Sequence, residues 1–429
     1  MKLFSFPILN NSFESIIADL APMAYTFILD GHDPNHALSK FSFIGYDPVK
    51  IFIPKPENFL HLKESLNDFH PENRDEFVSI PFCGGLIGLI HYDAGYYFND
   101  MNVPFAIDNN PIIFGLYNKI IYKNLETHET FFLINSKDSE DAQKEFDKFN
   151  SSLSSRKIHP NPAIALKPLT TNDEYIKKIE KVISYIKAGD IFQANLSQRF
   201  EAVCPDEFNS IAHYLKMRTL NSSPFSSYLN CKDYIISSAS PEQFISLCNK
   251  KLETSPIKGT LNDHYPKENL ETNPKERAEN IMIVDLMRND FSKICGDDSV
   301  IVDSLCQIET FKNLHHMISK ISGTIKPYYD IFDVLSNIFP GGSITGAPKI
   351  RAMEIIAELE GEKRHIYCGS IGYIDYNGNA HFNIAIRSLI ITKDKISLSV
   401  GSGITAQSIP IQEYEETMIK AKAIIESLS

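Results

Sequence analysis

Over about the first 150 residues the apolar positions come in short runs broken by Pro, Gly, Asn and Asp: FSFIGYDPVKIFI, FCGGLIGLIHYDAGYYF, PIIFGLYNKIIYKN and THETFFLIN. Runs of this length between turn formers predict strands joined by tight turns. The charged stretch DSEDAQKEFDKFNSSL then predicts a helix. SSRKIHPNPAIALKP has the Ser, Pro and Asn content of a connector, which places a soft boundary near residue 160. No repeat and no low-complexity tract interrupts the chain.

Beyond the connector, TTNDEYIKKIEKVISYIKAGD sets Ile176, Ile179, Ile183 and Ile186 at helical spacing, with Thr171 or Asn172 as cap and Gly189 as stop. IFQANLSQRFEAV, SSYLNCKDYIISSASP and QFISLCNKKLETSP predict strands. A second helix opens at NPKERAENIMIVDLMRND, with Asn273 as cap, Pro274 in the first helical position and Glu276 where a capping-box acid belongs. Its continuous run IMIVDLM predicts burial on most sides. A further helix, GAPKIRAMEIIAELE, follows a Gly-rich loop. The strands of CGSIGYIDYNGNAHFNIAIRSLIITKDKISLSVGSGI lead to a last helix, PIQEYEETMIKAKAIIESLS. Hairpin-like strands with helices grouped between them make an α+β fold, not an alternating βαβ one.

Composition narrows the partners. The chain has 429 residues and a formal net charge of -12, from 54 acids and 42 bases. That balance opposes nucleic acid or an anionic membrane as the main partner, yet allows a small anion held by a few placed cations. Seven scattered cysteines without a Cys-x-x-Cys pair oppose a disulfide framework or thiolate zinc site and fit a reducing, cytoplasmic setting. No signal peptide and no membrane span is expected.

Charge patterning on the helices points to chemistry. At about 100° per residue, Tyr414, Met418, Ala421, Ile425 and Leu428 fall within roughly 80° of one another. Glu413, Glu416 and Lys420 gather within roughly 60°, about 130° from that stripe. A solvated Glu-to-Lys pair would account for the second group. A second Glu-x-x-Glu, Glu276 and Glu279, adds to the picture, because acids leading into an apolar helix are costly to bury without a cation. Glu276 could be a cap; Glu279 lies too deep for that. Converging helix starts would make an oxygen site suited to Mg²⁺. The loop FPGGSITGAPKIRA lacks a P-loop ending and dinucleotide spacing, so nucleotide binding is rejected, while Ser343 and the amides before the helix suit a carboxylate. In ETSPIKGTLND, Lys258 reads either as a solvated charge on a turn or as an amine beside a substrate.

Six strings, SPIKGT, RAENIMIVDLMRND, HHMIS, PGGSITGAPKIRAMEII, YCGSIGYIDYNGNAHFNIAIRS and GSGITAQSIPIQEYEET, together resemble the chorismate-utilising enzymes. That group includes anthranilate, aminodeoxychorismate, isochorismate and salicylate synthases. The resemblance is dense from about residue 170 to 425 and looser before 160, where FSFIGYDP and GGLIGLIHYDAG echo the amino-terminal part of the first two. It implies a large antiparallel two-sheet β-sandwich flanked by helices. Residues 1–160 would form an amino-terminal part like that of anthranilate synthase component I, and 161–429 the chorismate-binding part, in one continuous sandwich.

The resemblance also implies roles. Mg²⁺ would be held by Glu279 and Glu416, with Glu276 and Glu413 close by, and would anchor the ring carboxylate of chorismate. Arg387, Tyr367, Lys420 and the backbone at Gly401 and Gly403 would hold the acidic groups. His316, Gly259, Thr260 and Ser343 would line the pocket, and Glu242 would be the acid. Members that add water carry a lysine base where this chain has Gln193, and an amide has no useful basicity. Anthranilate synthases resemble PIAGT, whereas a lysine at 258 resembles the aminodeoxychorismate synthase branch, component I. The reaction implied is attack of Lys258 on ring carbon 2 with loss of the carbon-4 hydroxyl, helped by Glu242, then addition of ammonia at carbon 4. A neutral amine is required, so a lysine pKa lowered by desolvation or nearby positive charge is expected.

No Cys nucleophile elbow is found, so ammonia would come from a separate glutamine amidotransferase subunit. The product would pass to a separate aminodeoxychorismate lyase toward 4-aminobenzoate and folate. Two departures stand out. GTLNDHYPKEN lacks the arginine usual after Gly-Thr, which bears on how that loop closes. FILDGHDP has Gly31 where serine is common in the relatives' tryptophan pocket, whose other wall resembles Pro224-Phe225-Ser226; no strong tryptophan control is expected. The rivals are anthranilate synthase component I with an unusual lysine, and a silent scaffold subunit. The latter predicts erosion of the site, yet Glu242, Glu279, Glu416 and Lys258 all stand.

Overall fold

Wherever aromatic and β-branched residues recur between turn formers, strands form, and they pair antiparallel into two sheets. The computed structural model describes residues 1–32, 39–67, 69–107, 110–154, 156–311 and 314–428; the side chains of Thr260, Phe311 and Leu314 lie outside the description. The larger sheet, of 12 strands, carries Phe27–Asp30, Phe41–Gly45 and Thr130–Ser136 beside Phe225–Asn230, Ile235–Ser240, Lys395–Thr405 and Gln193–Val203. The smaller, of 10, runs from Ile257–Asn262 through Leu314–Thr324, Lys251–Thr254, Gln243–Cys248 and Ser370–Asp375 to Gly85–Ile90 and Ile112–Tyr117. Each sheet draws strands from both sides of the connector near residue 160, so neither half of the chain owns a sheet.

Strand alternation sorts the core into layers. Ile87, Leu89, Ile113 and Ile371 of the smaller sheet meet Phe27, Phe43, Ile120 and Leu229 of the larger one between the sheets. The alternate residues Leu86, Ile90 and Phe114 face outward onto helices Pro274–Ile294 and Ile331–Ile338. The outer face of the larger sheet is covered by helices Phe13–Leu20, Ser210–Leu220 and Pro410–Ile425. This is an α+β sandwich flanked by helices: the α+β class is the one the pattern predicts, and the sandwich is the one the resemblance implies.

The helix signals hold where a cap is explicit. Thr171 and Glu174 form a reciprocal capping box on Asn172–Ala188, and Gly189 ends it at φ 87°. Asn273 accepts from the amides of Lys275 and Glu276 at the start of Pro274–Ile294. The Glu276 carboxylate does not complete a box; it lies against Gly259 instead.

Two expectations are corrected. Helix Pro274–Ile294 is not buried on most sides: Ile283, Val284, Met287 and Phe291 are buried, but Ile281 is 43% exposed and Met282 and Leu286 are half-buried. The apolar run serves one packed face plus residues flanking the cleft, where Leu286 abuts Gly342. The final helix is rotated from the expected stripe. Glu413, Thr417, Ala421 and Ile424 face inward, so Glu413, expected beside Glu416 and Lys420 on the polar side, is buried on Ser408. All seven cysteines are free, and among the described residues no helix is long and apolar enough to cross a membrane.

Candidate active site

One end of the sandwich gathers side chains from distant elements. Lys258 lies on the short strand Ile257–Asn262, which pairs with Leu314–Thr324 so that Lys258 opposes Met317 and Thr260 opposes His316. The register slips between Lys258 and Thr260, and Gly259 takes φ 76°, the left-handed region that favours glycine. A Cβ there would stand 2.8 Å from Leu270 Cδ1 and 3.0 Å from Glu276 Oε2, so the bulge also brings the backbone up to the acidic helix start.

The bulge turns Lys258 inward. Its side chain is 16% exposed, and Nζ donates to Glu279 Oε1 at 3.0 Å and to the Ser343 carbonyl at 3.3 Å. Glu279 Oε1 also accepts from Gln193 Nε2 at 3.1 Å. Gln193 is buried, held by pairing of its strand with Gly346–Ala347 on one side and Lys395–Thr405 on the other. Gly403 opposes Asn195 on that ladder, and a Cβ on it would lie 2.4 Å from Gln193 Nε2 and 3.1 Å from Glu279 Oε1. A side chain there would have to push the Gln193 amide aside from Glu279.

Glu242 stands across the cleft, 7% exposed, and its Oε1 has no hydrogen-bond partner among the described residues. Burial pushes its carboxyl above the usual range, against the Ser343 hydroxyl and the charges of Lys258, Lys420 and Arg387. A buried carboxyl that keeps its proton can act as an acid. Arg387 is exposed by surface area yet deep in the concavity, where desolvation draws its pKa down against the pull of Glu242. Lys420 pairs with Glu416 at 2.6 Å and donates to the Gly401 carbonyl at 3.2 Å, while the Tyr367 hydroxyl lies 2.8 Å from where a Gly401 Cβ would be. Ser343 lies in the turn Gly342–Ile344 and is buried. His316 is half-buried on the strand beside Lys258. The side chain of Thr260 falls outside the described residues.

The expected lowering of the Lys258 pKa is not what the structure shows. Desolvation does act downward, but Glu279, Glu242 and Glu276 outweigh it, and the amine is held above its ordinary value. Conversely, burial raises Glu279 but Lys258 and Gln193 more than offset it, so that carboxyl is held low. The sequence shows which lysine is buried, not how many carboxylates meet it.

The acids fit an oxygen-ligated cation in part. Glu276 is pushed up by burial and then by Glu279, with Glu416 adding to it, so three carboxylates share one field. Among the described residues, however, no three of Glu276, Glu279, Glu413 and Glu416 bring oxygens within 4.8 Å of one another. Glu413 Oε1 is instead occupied by Ser408 Oγ at 2.6 Å. An all-oxygen pair of carboxylates completed by waters and substrate is the donor set of Mg²⁺, and the crowding at Glu276 is what a cation relieves.

Two buried supports were not legible as site parts. Lys349, at the start of helix Lys349–Glu360, donates to Asp290 Oδ2 and to the Ile338 carbonyl, each at 2.6 Å, and so fixes both ends of the Ser343 loop. Arg364 donates to Glu360 Oε1 at 2.6 Å and to the Asn195 carbonyl at 2.5 Å, and its guanidinium sits 5.5 Å from the Tyr367 ring centre. The i,i+4 spacing of Glu360 and Arg364 is the one available signal, and surface pairs share it.

Comparison with known proteins follows the same geometry. The chorismate binding enzyme family profile matches residues 27–426. Aminodeoxychorismate synthase component 1 of Escherichia coli is 36% identical over 84% of this chain and 80% of its own length. An anthranilate synthase component I-like protein of Synechocystis is 35% identical, over 92% of this chain and 84% of its own. The crystal structure of anthranilate synthase component I from Streptococcus pneumoniae superposes with a TM-score of 0.81 at 30% identity, covering 90% of this chain and 92% of that one.

Proposed function

The chain belongs to the chorismate-binding enzymes, and from that premise we propose that it aminates chorismate with ammonia to 4-amino-4-deoxychorismate through a covalent Lys258 adduct. The observation that carries the reading is the inward Lys258 Nζ, fixed 3.0 Å from Glu279 and 3.3 Å from the Ser343 carbonyl, in the field of Glu242. The identity shared with a relative named aminodeoxychorismate synthase component 1 supports it.

Lys258 rests as an ammonium and first gives up a proton to a neighbouring carboxylate. Its amine then attacks ring carbon 2. The two ring double bonds shift, and the carbon-4 hydroxyl leaves as water on taking a proton from Glu242. Ammonia adds at carbon 4, the double bonds shift back, and the carbon-2 bond to Lys258 breaks with return of its amine. The net change is chorismate plus ammonia to aminodeoxychorismate plus water. Arg387 and Lys420 with Tyr367 would hold the carboxylates of the substrate, Arg387 by bidentate contact. Glu279 and Glu416, with Glu276 beside them, would hold Mg²⁺, which when bound supplies a positive anchor for the ring carboxylate. Gln193 offers no base, so water is not activated as the nucleophile.

A glutamine amidotransferase subunit is the proposed ammonia source, and a separate lyase would convert the product toward 4-aminobenzoate and folate. The alternative is anthranilate synthase component I, favoured by the comparable identity of the Synechocystis relative. Product analysis separates them. Chorismate, Mg²⁺ and ammonium salt should give a non-fluorescent product that becomes 4-aminobenzoate only on adding aminodeoxychorismate lyase. Direct appearance of fluorescent anthranilate would overturn the proposal.

A further inference from the structure

Away from the cleft, His91, Asp93 and His365 each offer one donor atom within 4.8 Å of the others. His91 and Asp93 are 5% and 0% exposed, and His365 is half-buried. They meet because the end of strand Gly85–Ile90 is tied to the turn before strand Ser370–Asp375. Tyr92 N–H donates to the His365 carbonyl at 2.8 Å. The Asp93 carboxylate accepts from the amides of Arg364 at 3.1 Å and His365 at 2.9 Å. His365 takes φ 52°, a left-handed conformation that a non-glycine residue keeps only where its surroundings impose it.

We propose that His91, Asp93 and His365 form a binding site for a divalent transition ion of the Zn²⁺ class, tying the end of the Gly85–Ile90 strand to the Arg364–Tyr367 turn. Two imidazoles and one carboxylate are a borderline donor set that suits Zn²⁺ or Co²⁺, whereas Mg²⁺ and Ca²⁺ take oxygen ligands. In a tetrahedral site with bonds of about 2.1 Å, donors lie about 3.4 Å apart. The trio therefore closes by a modest movement, and half-buried His365 has room to make it.

The surroundings match what such ligands need. A carboxylate has lone pairs beyond the two that Arg364 and His365 amides engage, and those amides orient it. The Tyr234 hydroxyl, 3.3 Å from His91 Nε2, gives that ring an outer hydrogen-bond partner. Three protein ligands leave a fourth position for water. The ion would brace the wall that carries Tyr367 and take no part in the reaction.

The test uses the full chain freed of transition metals by chelation, then titrated with Co²⁺ in excess Mg²⁺. The expected result is one Co²⁺ per chain with the strong visible bands of a tetrahedral ion, displaced by Zn²⁺. His365→Gln and His91→Gln should each weaken binding at least about tenfold, and Zn²⁺ should raise the unfolding midpoint of the unaltered protein but not of His365→Gln. Chorismate consumption in Mg²⁺ should stay close to normal in His365→Gln, which alters a half-buried ring and preserves the fold. Failure to take up Co²⁺ or Zn²⁺ under excess Mg²⁺, or an affinity in both variants equal to that of the unaltered protein, would overturn the site.

Discussion

At the scale of single residues, Lys258 and Glu242 are a matched pair: desolvation pulls the amine down, but Glu279, Glu242 and Glu276 hold it above its ordinary value, while burial raises the Glu242 carboxyl. Glu242→Gln keeps the shape and removes the proton. Chorismate consumption should fall by about 10²- to 10⁴-fold, followed by loss of chorismate absorbance, with the unfolding midpoint little changed; undiminished turnover would remove Glu242 from the acid role. Gly403→Ala tests the packing of the same wall. The added methyl meets Gln193 Nε2 at 2.4 Å and Glu279 Oε1 at 3.1 Å, so kcat/KM should drop at least about tenfold, since a 1 Å misplacement can cost 10². Of these residues, Lys258, Glu242 and Glu279 were legible because each sits in a motif. The Gln193 contact to Glu279 was not, because it joins residues 86 apart through two different elements. The direction of the Lys258 pKa was not legible for a related reason: the acids that set it, Glu279, Glu242 and Glu276, all lie more than fifteen residues away in sequence.

At the scale of elements, caps are legible and the buried face of a helix less so: Asn172–Ala188 buries Tyr175, Ile179 and Val182, while Ile176, Ile183 and Ile186 are half-buried. Thr171, Glu174 and Gly189 specify one helix locally. The last helix, by contrast, buries Glu413 because Ser408, just before it, offers a hydroxyl at 2.6 Å; angular analysis sees only polarity. Helix Ser210–Leu220 meets strand Phe27–Asp30 through a buried ion pair, Arg218 with Asp30, backed by Ser42 at 2.6 Å and Tyr214 at 3.2 Å. Burial raises the Asp30 carboxyl, but Arg218 and Ser42 more than offset this, so its folded pKa lies below the unfolded one. The pair's stability is therefore present above the ordinary carboxylate range, about pH 4, and is lost as pH falls through the lower folded value. Asp30→Asn should cost about 3–5 kcal/mol at neutral pH and flatten the acid-side decline, measured by urea unfolding across pH. An unchanged slope would contradict the assignment.

The same strand lines a cavity of about 110 Å³ with Gly31, Phe41, Pro224, Phe225, Tyr373 and His381. This is where the two walls compared with a tryptophan pocket meet. A Cβ on Gly31 would stand 2.9 Å from the Phe41 carbonyl, so a serine does not fit this backbone. Asp33 and Pro34, in the same motif, lie outside the described residues. Calorimetry should show no tryptophan binding tighter than micromolar; tighter binding would reverse this view.

At the scale of the whole molecule, the net charge of -12 opposes an anionic substrate at long range, so capture rests on the local cations of the cleft. Fold class and family were legible because strand patterning is local and motifs are spaced along most of the chain. The merging of both halves into each sheet was not, because pairing such as Phe27–Asp30 with Phe225–Asn230 joins strands about 200 residues apart. The same limit hid the Lys349–Asp290 and Arg364–Asn195 supports, which join residues 59 and 169 apart. Ammonium salt alone should sustain turnover of the isolated chain, and glutamine should sustain none until a glutaminase subunit is added; glutamine-driven turnover by the isolated chain would contradict a separate source of ammonia.

The most direct measurement is intact-mass analysis of the protein incubated with chorismate and Mg²⁺ without ammonia. The account predicts a mass increase equal to chorismate less water, mapped to Lys258, discharged by adding ammonium salt and absent in Lys258→Ala. An unmodified protein, together with full aminating turnover by Lys258→Ala, would contradict it.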